Sequence, residues 1–384
     1  MFDKERDTVN IFLYESVIYY PPTISLIQCL LHNGYRVHLV AQQCEKLDLE
    51  IKGNTHFSFR EVKKYSGNSP VSRLQSRTAI QKVLREELKK TGKSDIIWTV
   101  NPLAVRTLGK DLLAYGDRHI MQLLELTNDL PLYRGSKYLR FDLSKYGRNA
   151  AKVVVAEINR AYIQRVEWGL KKLPYVIPNK PYVYPEPLES EDVTVALEKM
   201  KKETRKIIVY LGVLDPDREF AAFARAIETV KDEYCLYLFG KCSPTEQPGF
   251  QALCQQYSCI NYMGFFNPPK HLSFLQHAYI ALTPYMPGVV GRGFEKLNAL
   301  YCAPNKIYEY AGSNLPMIGT DVLGLKEAFD KYNIGICCAD LEPETIVSAI
   351  RYVDEHHAEM TKNCSAFYDA VNLDDIILKI IDFR

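Results

Sequence analysis

Along the first half of the chain, short apolar runs alternate with stretches of helical spacing. NIFLYES (10–16) reads as a buried strand. SLIQCLLHN (25–33) has helical apolar spacing and is closed by Gly34, where a helix C-cap is expected. YRVHLVA (35–41) alternates as a second strand. RTAIQKVLREELKKTG (77–92) is patterned as an amphipathic helix ended by Gly92, and DIIWTV (95–100) as the next strand. HIMQLLEL (119–126), KVVVAE (152–157) and YVIPN (175–179) add further strand-like runs. Strand, helix and strand at this spacing imply a parallel sheet with right-handed crossovers.

NKPYVYPEPLES (179–190) carries three prolines and is expected to interrupt regular structure. After a short charged helix the alternation restarts. Strands are expected at RKIIVYLG (205–212), CLYLFG (235–240), INYMGF (260–265) and IALTPY (280–285), with helices at 219–232, near 247–257 and at 268–278. A helix at 304–311, the strand LPMIGT and a helix at 343–355 complete a second βα array. The chain thus reads as α/β, with two Rossmann-like domains. Residues 1–180 form the first, 181–195 the linker and 196–365 the second, and 366–384 is a C-terminal helix expected to pack back on the first. Such a pair implies a ligand cleft at the C-terminal ends of strands.

The length of 384 residues fits two domains of ordinary size. An apolar content of 47% and a charged content of 24% describe a globular protein. The charged start MFDKERDTVN does not read as a signal peptide, and no apolar run reaches the roughly 20 residues that span a bilayer. The ten cysteines are scattered without metal-finger spacing, which points to reduced thiols and a cytoplasmic location. Net charge is +2 but uneven. Residues 1–180 hold 29 Lys/Arg against 18 Asp/Glu, and residues 181–384 hold 19 against 28. The basic half suits an anionic partner or surface, and equally a solvated face without one. Nothing resembles a helix-turn-helix or finger, so no nucleic acid is expected, and no G-x-G-x-x-G follows a strand.

Candidate chemistry sits in the second half. Gly212 ends an apolar strand, and Arg218 lies near the start of the next helix. A glycine at such a turn lets a phosphate reach the backbone, a helix N-terminus favours the anion, and an arginine adds a charged contact. The same features also serve an ordinary βα turn. Asp215 and Asp217, in DPD, match a metal-binding D-x-D, but their place before a helix favours a capping role. From Pro284 to Lys306 runs a long polar loop with Arg292 and Lys296, and long loops in compact domains are usually functional. It leads into a helix bearing Glu309, whose carboxylate is suited to accept two hydrogen bonds from adjacent hydroxyls such as those of a ribose.

PNKIYEYAGSNLPMIGTD (304–321) resembles the P-N-K-x-x-E-Y-x-x-x-G-x-P-x-I signature of GT-B glycosyltransferases of the family 4 type, which build bacterial surface polysaccharides. IIVYLGVLDPDREF, YMGFFNPPKHLSFLQHAYIALTPY and VVVAEINRAYIQRVEWGLKKLPYVIPNKPY are similar to three further segments of that family, in the expected order. The resemblance covers about residues 150–350, with weaker support at 10–41. It implies two Rossmann-like domains facing across a cleft, and transfer of a sugar, with retention, from a nucleotide-diphosphate donor. The expected acceptor is a saccharide or a polyprenyl-diphosphate-linked saccharide; the basic surplus of the first half suits such an anionic acceptor or peripheral contact at the inner membrane face, with the region 134–148 as its candidate. No cofactor or metal is implied, since basic side chains take the leaving-group charge.

On the same resemblance, Gly212, Arg218, Pro284, Asn305, Lys306 and Glu309 bind the donor. Arg218 and Lys306 have catalytic roles at the diphosphate, and Glu309 holds the ribose. The chain departs from the pattern at Tyr301, Val213 and Glu219, where the family has an acid, an arginine and a lysine. The family's N-terminal-domain His–Asp has no evident counterpart, and Glu125 is the nearest catalytic candidate. Two alternatives share this layout: a nucleotide-sugar epimerase, and a non-catalytic partner subunit.

Overall fold

A computed structural model describes residues 2–63, 69–127, 141–186, 190–214, 218–286 and 296–383. The chain divides into two compact units, Met1–Val183 with Asn372–Arg384, and Tyr184–Val371.

The first unit is built on β1 (Thr8–Ser16), α1 (Pro21–His32), β2 (Arg36–Gln42), α2 (Leu49–Gly53), β3 (Phe57–Glu61), α3 (Pro70–Lys90), β4 (Ile96–Val100), α4 (Asn101–Leu108), β5 (His119–Leu123), α5 (Leu143–Asn149), β6 (Lys152–Val155), α6 (Ile158–Trp168) and β7 (Tyr175–Val176). Its seven strands are parallel, in the order β3-β2-β1-β4-β5-β6-β7. β4 (IIWTV) and β5 (HIMQL) are buried along their whole length on both faces, as a parallel sheet under helices requires. Phe12, Val40, Ile97, Met121 and Val153 meet Leu84 and Leu88 of α3 in one core. Inside the sheet the Trp98 Nε1 donates to Gln122 Oε1 at 2.8 Å, so the one polar atom of that large ring is satisfied. At the strands' N-terminal ends, Asp95 accepts from the Thr8 and Gly92 amides at 2.9 and 2.7 Å and so ties β1 to the turn before β4.

The second unit contains α7 (Glu191–Lys201), β8 (Lys206–Leu211), α8 (Phe220–Glu228), β9 (Tyr234–Phe239), α9 (Gln247–Gln256), β10 (Ile260–Gly264), β11 (Ile280–Thr283), α10 (Lys296–Leu300), α11 (Asn305–Gly312), β12 (Met317–Thr320), α12 (Leu323–Tyr332), β13 (Gly335–Cys338), α13 (Pro343–Glu355) and α14 (His357–Asp369). Six parallel strands run β10-β9-β8-β11-β12-β13. The last helix, α15 (Leu373–Ile381), belongs to the first unit. Its Asp374 Oδ1 accepts from Asn33 Nδ2 at 2.6 Å and from the Tyr182 hydroxyl at 3.1 Å, which fixes it to α1.

The structure differs from the sequence reading in several places. The stretch expected as linker to residue 195 is already helical from Glu191. The helix expected at 268–278 is a 3-10 helix over Lys270–His277, because Pro268 and Pro269 hold its entrance and Lys270 N bonds back to Asn267 O. α3 begins at Pro70, capped by Ser69, and stops at Lys90 with Thr91 as its cap rather than a glycine. β3 and β13 lie at sheet edges and their short patterns gave no warning. Asn314, just after α11, has φ +59, the left-handed region that asparagine tolerates better than most residues; here it stands where the signature has glycine.

Candidate functional site

In the second sheet the strand order reverses between β8 and β11, and the residues singled out by sequence gather at the C-terminal ends of those strands. Open parallel sheets bind ligands at such a reversal, because the two loops leaving it diverge and open a crevice. β8, β9 and β10 each lead into a glycine of positive φ: Gly212 (+141), Gly240 (+156) and Gly264 (+84). The turns pack very closely. A Cβ on Gly240 would stand 1.6 Å from the Gly212 carbonyl oxygen, so no side chain fits there.

The space above Gly212 belongs to a lysine. A Cβ at Gly212 would lie 2.5 Å from Lys306 Cε and 2.7 Å from its Nζ. Thus the glycine, expected to admit a phosphate, admits the ammonium of Lys306. That side chain comes from the first turn of α11, with Pro304 before the helix and Asn305 as its first residue. Its neighbours are aromatic. Nζ is 5.4 Å from the Tyr210 ring centroid, and among the described residues Lys306 makes no ion pair. Burial disfavours its charge, but Tyr210 and Tyr285 beside it oppose the loss of its proton, and the balance raises its pKa. Lys306 is therefore cationic at neutral pH.

Arg218 joins this group from the other side. Its guanidinium stacks 4.1 Å from the Tyr285 ring centroid, and its Nε donates to the Tyr210 hydroxyl at 3.3 Å. That hydroxyl in turn donates to Val213 O at 2.9 Å. Arg218 lies outside α8, in a bridge with Tyr285, and Pro284 O next to it accepts the Glu219 amide at 2.9 Å. At the α8 N-terminus one amide already has an acceptor, as an ordinary βα turn would give it. The Glu219 carboxylate already accepts the Ala222 amide at 3.0 Å, so the residue replacing the family's lysine caps its own helix. Asp215 and Asp217 of the D-x-D pattern, Arg292, and 134–140 of the basic region lie outside the described residues.

Glu309 is one turn beyond Lys306 on α11 and half-buried. Its Oε2 is 3.9 Å from His271 Nε2, while the other ring nitrogen of His271 is buried without a hydrogen-bond partner among the described residues. Burial lowers the pKa of His271, with Glu309 opposing and Lys306 assisting, which favours a neutral ring at pH 7. Below them, the Tyr310 hydroxyl accepts the Leu211 amide at 3.0 Å and the Tyr184 hydroxyl donates to Glu309 O at 2.8 Å, anchoring α11 to the end of β8. Gly212, Arg218, Pro284, Asn305, Lys306 and Glu309 all come from the loops and helices that follow β8 and β11. Glu125 does not; it lies in the first unit, after β5, with Oε2 3.7 Å from Arg160 Nη1.

Sequence reasoning missed Tyr210, Tyr285, Gly240 and His271. Tyr210 and Tyr285 read as strand aromatics, and only the fold shows that their hydroxyl and ring face the two cations.

Comparison with known proteins gives this arrangement its class. Residues 205–355, about two fifths of the chain, match the family of glycosyl transferases group 1. No curated protein sequence matches the chain. Among solved structures it is similar to sucrose-phosphate synthase from Thermosynechococcus elongatus (14% identity, TM-score 0.67, covering 98% of this chain and 97% of that one). It is also similar to WaaG, a glycosyltransferase involved in lipopolysaccharide biosynthesis (14%, 0.62, 97% and 98%). A third is HepE of Anabaena, solved with UDP and glucose (12%, 0.58, 98% and 97%). The fold is GT-B, the second unit carries a glycosyl transferases group 1 domain, and the chain is a glycosyltransferase.

Proposed function

We propose that the second unit binds the diphosphate of a nucleotide-sugar donor between Lys306 and Arg218, with Glu309 on the ribose hydroxyls. One observation carries this reading: two cationic side chains converge on one tyrosine, Tyr210, at the reversal point of the sheet. A diphosphate leaving group needs positive charge already in place, and fixed cations stabilise it without reorganising. Pro284 and Asn305 shape the loop and helix start on either side. HepE, solved in complex with UDP and glucose on the same fold, supports a nucleotide sugar as the ligand. The acceptor in this reading is a saccharide or a lipid-linked saccharide at the cytoplasmic membrane surface, in surface-glycan synthesis. Transfer proceeds with retention and without a metal, and Glu125 stands on the acceptor side.

The test is a thermal-shift panel of UDP, GDP, ADP, CMP and TDP on wild type, Glu309→Ala and Lys306→Ala. A ligand that binds only the folded state at 100 times its Kd adds about 2.7 kcal/mol of stability, enough for a clear rise in Tm. One nucleotide is expected to stabilise the wild type, with most of that shift lost in both variants. No shift with any nucleotide at millimolar concentration sinks the donor site. Conversion of a donor sugar without any acceptor would point to an epimerase instead.

A further inference from the structure

His271 meets Glu309 from a separate element of the second unit, with 3.9 Å between its Nε2 and Glu309 Oε2. Little of either side chain reaches solvent, 17% of His271 and 14% of Glu309. The same core holds both from below. Leu272, Phe274 and Leu275, which follow His271 in its 3-10 helix, pack in one cluster with Tyr308 and Tyr310 of α11. The backbone around His271 is tied as well, the Lys270 amide donating to Asn267 O and the Leu272 amide to Pro269 O, both at 2.9 Å. Packing of this kind locks a pair of side chains in place, where surface rotamers would wander.

The contact has a direction. His271 Nδ1 is buried with no hydrogen-bond partner among the described residues. A proton on that nitrogen would be a buried donor without an acceptor, and would leave the lone pair of Nε2 facing a carboxylate. With its one proton on Nε2 instead, the neutral ring presents a donor to Glu309. The gap of 3.9 Å exceeds a hydrogen bond, but a small turn of the carboxylate closes it, and contacts at such sites often tighten when the ligand arrives.

Glu309 has a use for that donor. Its carboxylate hangs on several rotatable bonds, the last of them loosely defined, so two hydroxyls can be bonded at once only if its plane is fixed. Lys306 stands three residues earlier on the same helix face, yet forms no ion pair with it among the described residues. We propose that His271 is a positioning residue: its Nε2–H holds the Glu309 carboxylate for the 2′- and 3′-hydroxyls of a ribose, and so restricts the donor to ribonucleoside diphosphates. The inference rests on the donor reading above and adds to it the exclusion of 2′-deoxyribose. A mobile carboxylate could turn to the remaining hydroxyl or to water. A held one is left with an unmatched oxygen, and sites built to bond a hydroxyl reject the analogue that lacks it.

Calorimetric titration of the full chain with the pairs UDP/dUDP, GDP/dGDP and ADP/dADP tests it, on wild type, His271→Phe, His271→Gln and Lys306→Ala. One ribonucleotide is expected to bind the wild type at least about tenfold more tightly than its 2′-deoxy counterpart. His271→Phe, which keeps a ring in the packing, should cut that ratio about fivefold or more, chiefly by weakening the ribonucleotide. His271→Gln, which keeps an N–H at similar reach, should restore much of it. Lys306→Ala should weaken both members of a pair alike. A wild type that binds ribo- and deoxynucleotides equally overturns the proposal, whether or not any variant folds. So does a His271→Phe protein that loses both in proportion, which is a packing effect, or that loses neither. If no nucleotide binds the wild type, the donor reading fails and the inference with it. If Lys306→Ala weakens both members while the ratio survives His271→Phe, the donor reading stands and only the role of His271 falls.

Discussion

Glu15 and Lys306 show how differently two buried charges are treated in this molecule. Lys306 is surrounded by aromatic faces and keeps its charge, whereas Glu15 has no cation beside it and holds its proton up to about pH 7. The consequence for stability can be signed. From the ordinary value of 4.5 up to about 7 the folded state binds a proton at Glu15 that the unfolded chain has released. Stability therefore falls as pH rises through that window, and the penalty is complete above it. At 1.36 kcal/mol per pKa unit the penalty is at most about 3 kcal/mol. His119, fully buried beside Thr99, acts in the opposite sense. Burial lowers its pKa to about 3, so it gives up stability as pH falls from its ordinary value toward 3. Only a comparison with Glu15→Gln isolates the carboxyl. Urea unfolding at pH 5 and pH 8 should show the variant gaining on wild type at the higher pH, by on the order of 1–3 kcal/mol. An equal difference at the two pH values would show that Glu15 ionises normally.

At the scale of elements, the sequence was most legible where both faces of a strand are buried. β4, β8, β9 and β11 are dominated by buried apolar residues and announce themselves, whereas β3 (FSFRE) and β13 (GICC) sit at edges, β3 with alternate positions exposed and β13 with three of its four positions only partly buried. Helix ends were less readable, because caps compete: Glu219 accepts the Ala222 amide of α8 at a turn whose sequence suited either an anion or an ordinary βα turn. The PNKIYEY residues that gather at the strand ends were legible in the sequence, but the cation–tyrosine arrangement was not, since Tyr210 and Arg218 are eight residues apart and meet only after the turn closes. α15 offers a test at this scale. Asp374 accepts from Asn33, Tyr182 and, at 3.3 Å, the Cys29 thiol, and those contacts hold its carboxyl below the ordinary value despite partial burial. Asp374→Ala leaves three donors facing it without that acceptor. We expect a loss of about 1–3 kcal/mol and faster hydrogen exchange confined first to α15 and the α1 face it covers. Uniform loss of protection across both units would mean that α15 is no separate clasp.

For the molecule as a whole, the charge asymmetry divides along the structural boundary. Counted from the sequence, Met1–Val183 with Asn372–Arg384 carries +10 and Tyr184–Val371 carries −8. No helix among the described residues is long and apolar enough to cross a membrane, and the basic surplus of the first unit offers an electrostatic route to an anionic lipid surface. Basic side chains near an anionic leaflet contribute about 1 kcal/mol each and are screened within roughly 10 Å at 0.1 M salt. The first unit should therefore bring the chain down with vesicles containing phosphatidylglycerol but not with phosphatidylcholine alone, and salt at about 0.5 M should release it. Lys145 and Arg148, on α5 in the described part of the basic region, are suited to a charge-reversal test. Arg148 also donates to Trp168 O at 3.0 Å, so Lys145→Glu is the cleaner change and Arg148→Glu needs a Tm control. If Lys145→Glu weakens vesicle recovery at low salt while leaving the nucleotide shift intact, the basic unit is the docking face and the acidic unit is held off the surface. If recovery is unchanged, or if neutral vesicles recover the protein equally well, the surplus is only a solvated face and the acceptor need not be lipid-linked.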